Sequence, residues 1–283
     1  RYWDHRLRGS ATVSYPLSTK SSVVAYYQGT LRRSLDPLPA DVYNPQIPTR
    51  GFFSSVGVGW SYATGSSTTL SISPERARVL SLGVEGTPAF LGSYTFNDDG
   101  ATQAFNQLRV TAQWREYRTV PGIPNHVVAL RLTGGASIGD RFKYGSFRLG
   151  GYYSENGVTV VPDEFRSLRG FGYGADSGEW YWQGSGEYRF PIWRIERGLG
   201  ALPLFVRWIS GTVLVDAGNA FDDVAGASLQ NSKVGVGAEL NVAMIAGWGS
   251  SIYARGGYAF SAYGGGIPIG DIQGLYLALG SSF

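Results

Sequence analysis

The chain contains no cysteine, one methionine and only two histidines in 283 residues. Without cysteine there is no disulfide framework and no thiolate for metal or redox chemistry. With His5 and His126 as the sole imidazoles, general acid–base catalysis near neutral pH has little to work with. His5 stands beside Asp4 near the chain start and His126 follows a turn holding Pro121 and Pro124, so both read as turn or interface residues. No apolar run reaches the length of about 18 residues that a transmembrane helix needs. No signal peptide opens the chain, and a start at Arg1 fits a processed form or a piece of a larger precursor. The formal charge of +3, from 24 Lys and Arg against 21 Asp and Glu, is too small and scattered to suggest nucleic acid. No side-chain cluster has metal-ligand spacing. The glycine-rich run from Tyr263 to Pro268 lacks the lysine and the following helix of a phosphate cradle, and reads as a loop. Neither an enzyme nor a cofactor is expected.

The chain is rich instead in glycine (41), tyrosine (18), phenylalanine (14) and tryptophan (8), arranged with a period of two. From Val234 to Met244 the even positions are apolar or small, while the odd ones are Gly235, Gly237, Glu239, Asn241 and Ala243. Leu275, Leu277 and Leu279 alternate with Gly274, Tyr276, Ala278 and Gly280, and Trp180, Trp182, Tyr188 and Phe190 with Gln183, Ser185, Glu187 and Arg189. Such alternation makes an all-β chain with one apolar face. A membrane barrel turns that face to lipid and its polar face to the lumen. Strands of about 10–13 residues match a tilted bilayer crossing, and aromatic pairs such as Trp60 and Tyr62, or Trp114 and Tyr117, sit near strand ends as an interfacial girdle does. The inward rows of Gly and Ser would leave a soluble core with little to pack.

Eleven strands are expected, near 7–15, 20–33, 51–63, 79–87, 105–118, 126–138, 179–190, 203–217, 231–245, 250–262 and 272–283. Compact turns fall at 16–20, 120–125 and 246–249, and a longer proline-bearing loop runs over 36–50. The segment 139–178 is too long for a hairpin connection, and a loop of that size in a compact fold is usually functional. A short strand pair around Phe147 to Tyr153 is a possible feature of it.

Within that segment Ser167-Leu168-Arg169-Gly170-Phe171-Gly172 places one arginine among glycines, and two carboxylates follow on the polar faces of later strands, Glu187 and Asp216. A guanidinium offers a rigid fork of donors that two carboxylates on adjacent strands can satisfy. The spacing alone is equally compatible with a solvated loop cation. The face of Asp216 also holds Trp208 and Leu214, which requires a bulge or a filled lumen there and turns Arg207 outward, snorkelling to headgroups.

Leu168-Arg169-Gly170-Phe171 resembles the (V/L)RG(F/Y) signature of the outer-membrane insertase superfamily, which includes BamA, TamA and two-partner-secretion transporters. Gly186-Glu187-Tyr188-Arg189-Phe190-Pro191 is similar to that family's twelfth strand, Val215-Asp216-Ala217-Gly218-Asn219-Ala220-Phe221 to its thirteenth, and the terminal Phe283 to its C-terminal aromatic. The resemblance implies a luminal loop lock of Arg169, Gly170 and Phe171 with Glu187, Asp216 and Gly218, and a C-terminal assembly signal that includes Gly274, Tyr276, Leu279 and Phe283.

The family barrel has sixteen strands, so the resemblance makes these eleven the C-terminal part of one barrel domain over 1–283, without a periplasmic domain. An odd number does not close in the usual antiparallel manner, and four or five further strands are expected from the same precursor or from another chain. Stretches such as Ser71-Ile72-Ser73-Pro74-Glu75-Arg76 and Ile192-Trp193-Arg194-Ile195-Glu196-Arg197-Gly198 look similar to members carrying a TolB-like propeller instead of POTRA domains. The resemblance thus implies a non-enzymatic barrel of the bacterial outer membrane that assists insertion or translocation of client proteins. An accessory barrel scaffolding a partner complex and a passive secretion pore are the alternatives, with lipid and client proteins, not nucleic acid, as partners.

Overall fold

The structure, a computed structural model, describes residues 4–34, 50–66, 68, 71–96, 100–140, 146–151, 165–198, 200, 202–223, 227–247 and 249–281. Strands and turns account for nearly all of them. In chain order the strands are β1 (Asp4–Ser18), β2 (Ser21–Ser34), β3 (Gly51–Ser66), β4 (Arg76–Thr87), β5 (Tyr94–Phe96), β6 (Thr102–Ala104), β7 (Gln107–Thr119), β8 (Val127–Gly139), β9 (Phe147–Leu149), β10 (Phe165–Arg166), β11 (Asp176–Gly178), β12 (Trp180–Gly198), β13 (Leu204–Phe221), β14 (Lys233–Ala246), β15 (Ser250–Tyr263) and β16 (Leu275–Ser281). The eleven long ones fall where the alternation puts them. β12 and β13 run further than the pattern suggests, to 19 and 18 residues, and the last strand begins only after a single 3-10 turn at Ile272–Gly274.

Two compact units divide the chain. The first takes in 1–62, 81–112 and 135–146, with its long strands in the order β1-β2-β3-β4-β7-β8. Its polar face is tied by short side-chain hydrogen bonds: the Tyr26 hydroxyl donates to Glu85 Oε2 at 2.6 Å, the Ser55 and Thr87 hydroxyls meet at 2.7 Å, and Gln107 Nε2 donates to Ser137 Oγ at 2.7 Å. The Tyr26 ring lies over Gly57, where a Cβ would come within 2.3 Å of it. Phe53 and Phe105, both fully buried, meet edge to face with ring centroids 5.2 Å apart, in the geometry that aromatic quadrupoles favour. β1 pairs antiparallel with β2 and, among the described residues, with no other strand.

The second unit takes in 63–80, 113–134 and 147–283, ordered β3-β4-β7-β8-β12-β13-β14-β15-β16. From β12 to β16 every pairing is antiparallel. The distribution of polarity is the reverse of a soluble sheet. On β13, Ser210, Thr212 and Asp216 are buried while Val213 and Val215 are exposed, and on β16 Leu275, Leu277 and Leu279 are all exposed. Each such side chain left in water forgoes about 1.5–3 kcal/mol of burial.

Two departures from the sequence reading have local causes. Of the short strand pair expected around Phe147 to Tyr153, residues 152 and 153 lie outside the described residues; the described strand there, β9, pairs in parallel with β10 and antiparallel with β11, so it is the later part of the same loop that returns to cover it. Arg207 was expected to point outward. A register shift between Val206 and Trp208 inserts one residue into β13, which breaks the alternation, and Arg207 lines a cavity together with Arg189, Ser210 and Asn241. The bulge and the filled polar face that Trp208 and Leu214 demand are both present, each side chain being buried.

Replacing Phe53 by Ala removes a ring with no exposed surface and is expected to cost about 3–5 kcal/mol. Urea unfolding in detergent or lipid tests this, with the exposed Val213→Ala as the comparison that costs far less.

Candidate functional site

Arg169 sits where a glycine-rich turn of the 165–178 loop crosses the polar face of β12, β13 and β14. Gly170 adopts φ +92°, a left-handed conformation open to glycine at no steric cost, and a Cβ there would lie 2.5 Å from the Phe260 carbonyl oxygen. Gly235 on β14 is the matching gap in the wall, since its Cβ would fall 1.8 Å from the Arg169 carbonyl oxygen. The turn is held from both sides. Leu168 N–H donates to Gly151 O at 3.0 Å, Gly151 N–H to Phe171 O at 2.9 Å, and Ile267 N–H to Gly170 O at 3.0 Å, while Gln183 Nε2 donates to the Ser167 carbonyl.

Around the turn Phe147, Leu149, Leu168, Phe171, Tyr181 and Ala220 make a small apolar core. Gly218 belongs to it: a Cβ there would come within 2.9 Å of the Leu149 side chain and 3.0 Å of the Trp182 carbonyl. Asp176 fixes the far end of the loop, accepting from Ala220 N–H at 3.0 Å and from Lys233 Nζ at 3.1 Å.

The guanidinium is buried to 4% exposure and every nitrogen is used. Nε donates to Asp216 Oδ2 at 2.7 Å and Nη2 to Asp216 Oδ1 at 2.8 Å, a two-pronged pairing to which the Arg169 backbone N–H adds a third bond at 3.1 Å. Nη2 also reaches Glu187 Oε1 at 2.8 Å and Ser185 Oγ at 3.0 Å, and Nη1 reaches Glu239 Oε1 at 2.8 Å. Ser185 Oγ in turn donates to Asp216 Oδ1 at 2.6 Å, and the Tyr276 hydroxyl to Glu239 Oε1 at 2.7 Å. Arg189 forks onto Glu187 Oε2 at 2.9 and 2.7 Å, and Arg255 Nε lies 3.6 Å from Glu239 Oε2. Three arginines therefore face three carboxylates. Burial opposes the charge on Arg169, but Asp216, Glu187 and Glu239 more than offset it and hold its pKa above the ordinary arginine value.

Of the residues singled out from sequence, Arg169, Gly170, Phe171, Glu187, Asp216 and Gly218 converge here. Gly274 is buried, and a Cβ on it would lie 2.5 Å from the Ala259 carbonyl; Leu279 is 57% exposed on the opposite face from Tyr276. Phe283 lies outside the described residues. Glu239, Ser185 and the Tyr276 hydroxyl were not foreseen as partners of the arginine. A signal for Glu239 existed, because it is the only carboxylate in the polar row of its strand. His126 is no base for this cluster: its Nδ1 pairs with the Tyr188 hydroxyl at 2.6 Å and its ring stacks on Phe190. Glu116 is buried with Arg78 and Arg118 as partners, which suits a structural ion pair rather than acid–base work. Among the described residues no group of His, Asp and Glu could hold a metal ion.

Arg169→Ala leaves buried carboxylates uncompensated and is expected to destabilise the fold by about 3–5 kcal/mol. Arg169→Lys will recover little, because an ammonium cannot reproduce the planar fork. Gly235→Ala, which changes no charge, is expected to displace the same loop by steric conflict. Denaturant midpoints and protease access to the loop check all three.

No protein-family model matches the chain, and no curated protein resembles it in sequence. In three dimensions it is similar to the crystal structure of BamA from Haemophilus ducreyi lacking POTRA domains 1–3, with a TM-score of 0.61 at 14% sequence identity. The match covers 99% of this chain and 55% of that one, so the chain spans about half the length of the structure it resembles. The chain has a BamA/TamA-like β-barrel fold.

Proposed function

We propose that this chain is a barrel of the bacterial outer membrane that assists the insertion or translocation of client proteins without chemistry of its own. The single observation that carries the reading is the arginine loop: a guanidinium buried on three strands of a BamA/TamA-like fold. The exposed apolar rows of β13 and β16 support the membrane. The same loop argues against a passive pore, because it covers the polar face of β12–β14 that an open channel would leave to water. In this reading Arg169, Gly170, Phe171, Glu187, Asp216 and Gly218 lock the loop in the lumen, and Gly274, Tyr276, Leu279 and Phe283 form the assembly signal. The edge of β1 is the place for added strands, from the same precursor, another chain or a client, since unpaired backbone groups in hydrocarbon cost several kcal/mol each.

Two measurements test the proposal. A cysteine at Leu277 is expected to react with lipid-soluble and not with water-soluble thiol reagents, and one at Ala278 to show no such preference for the lipid-soluble reagent; equal labelling of both by the water-soluble reagent removes the membrane assignment. Liposomes carrying the chain are expected to speed the folding of a urea-denatured client barrel several-fold over empty liposomes. Ion conductance without such acceleration identifies a pore, and neither activity identifies a scaffold.

A further inference from the structure

The apolar face of the second unit is not flat: a groove of about 700 Å³ crosses it from β8 to β15. Residues paired directly across neighbouring strands point to the same side of a sheet, and two adjacent rows of them build the groove. The first row is Gly186, Val215, Val236 and Phe260, each paired with the next, and it continues to Leu130, whose side chain lies 3.8 Å from where a Gly186 Cβ would stand. The second row, by the same pairings, is Tyr188, Val213, Ala238 and Tyr258. Each row has one gap, a missing side chain at Gly186 and a single methyl at Ala238. Valine, leucine and aromatic side chains stand around both gaps, with the Tyr258 and Phe260 rings 6.2 Å apart at one end.

What the groove offers an occupant is hydrocarbon. The two hydroxyls on its rim are turned to the protein: Tyr188 pairs with His126 Nδ1 at 2.6 Å, and Tyr258 donates to the Pro268 carbonyl at 3.1 Å while accepting from Gly270 N–H. The Glu187 carboxylate is spent on Arg169 and Arg189. The groove is also continuous with the surface read above as facing lipid, since Leu130, Val213 and Val215 are exposed in it and Leu240 and Leu277 beyond it. From β8 to β15 it crosses four strand spacings, about 19 Å. The chains of one leaflet, half of a hydrocarbon core about 30 Å thick, span a similar distance.

We infer that the groove seats one acyl chain of a membrane phospholipid, laid across β12–β14 over Gly186 and Ala238 between the rings of Tyr188 and Tyr258. The inference rests on the membrane location proposed above. Lipid chains are as apolar as the wall, so hydrophobicity does not favour one patch of it over another and packing decides. A flat patch touches a chain on one side, whereas a hollow touches it on several, and dispersion attraction grows with the number of atom pairs in contact. With its hydroxyls already paired, the site selects by shape and not by headgroup.

The test uses the full chain in phospholipid liposomes containing a trace of phospholipid with a photoactivatable diazirine midway along one acyl chain, carried in separate samples on phosphatidylethanolamine and on phosphatidylglycerol. Adducts are mapped by mass spectrometry. Their density on the groove residues of β12–β14 is expected to exceed that on the exposed Leu275, Leu277 and Leu279 of β16 several-fold, and equally for the two headgroups. Gly186→Leu and Ala238→Leu fill the hollow and are expected to remove the excess. Gly256→Leu, on the same face of β15 but opposite Leu240 and Leu277, is expected to leave it. Adducts as dense on β16 as in the groove, an excess for one headgroup only, or an excess that survives in folded Gly186→Leu and Ala238→Leu would each overturn the inference and leave the membrane location standing. Absence of adducts from every strand, β16 included, would overturn both. The map on the unsubstituted chain decides the matter even where a variant does not fold.

Discussion

A single positive charge held away from water organises the second unit of this chain. Arg169 could not stay buried beside one carboxylate, since its five donors would outnumber the acceptors, and the fold answers with Asp216, Glu187, Glu239 and Ser185 from three neighbouring strands. Almost every unusual local feature nearby serves that contact. The left-handed Gly170 lets the chain turn, the missing side chain at Gly235 lets it approach the wall, and the small core around Phe147 and Phe171 keeps the turn from leaving. Replacing such a cluster with apolar groups of the same volume can be neutral for stability, so the arrangement is better understood as specifying one position of the loop than as a store of energy.

The strands were legible because a half-buried sheet writes its two faces into alternate positions, and the eleven long strands appear at the eleven places where that alternation occurs. Glu187 could be placed on the polar row from its neighbours Tyr188 and Phe190 alone. What was not legible depends on contacts between distant segments. Glu239 is marked as the lone carboxylate of its strand, but nothing local ties it to Arg169 70 residues earlier, and β9 has its mates at 165–166 and 176–178, a pairing that no periodicity of such short strands can announce. Arg207 was misread for a different reason: one inserted residue at the β13 bulge reverses the parity on which the outward assignment rested.

The two faces of the second unit have unlike chemistry, and the difference separates stability from surroundings. On the polar side, specificity comes from charges, short hydrogen bonds and glycines at close approaches. On the other side the exposed side chains are aliphatics such as Val213, Val215 and Leu277 with aromatics such as Trp180 and Tyr188 on β12, and they ask for a medium as apolar as themselves.

The position of the three acids along the chain bears on the order of assembly. The loop is made before any of them, and the β12–β13 hairpin brings Glu187 and Asp216 together, but Glu239 arrives only with β14 and the Tyr276 hydroxyl only with β16. A hairpin that has captured Arg169 still lacks part of its neutralising shell until two later strands have docked. The cluster thereby ties β12, β13, β14 and β16 into one network, so that absence of any one of them leaves charge in the others incompletely partnered.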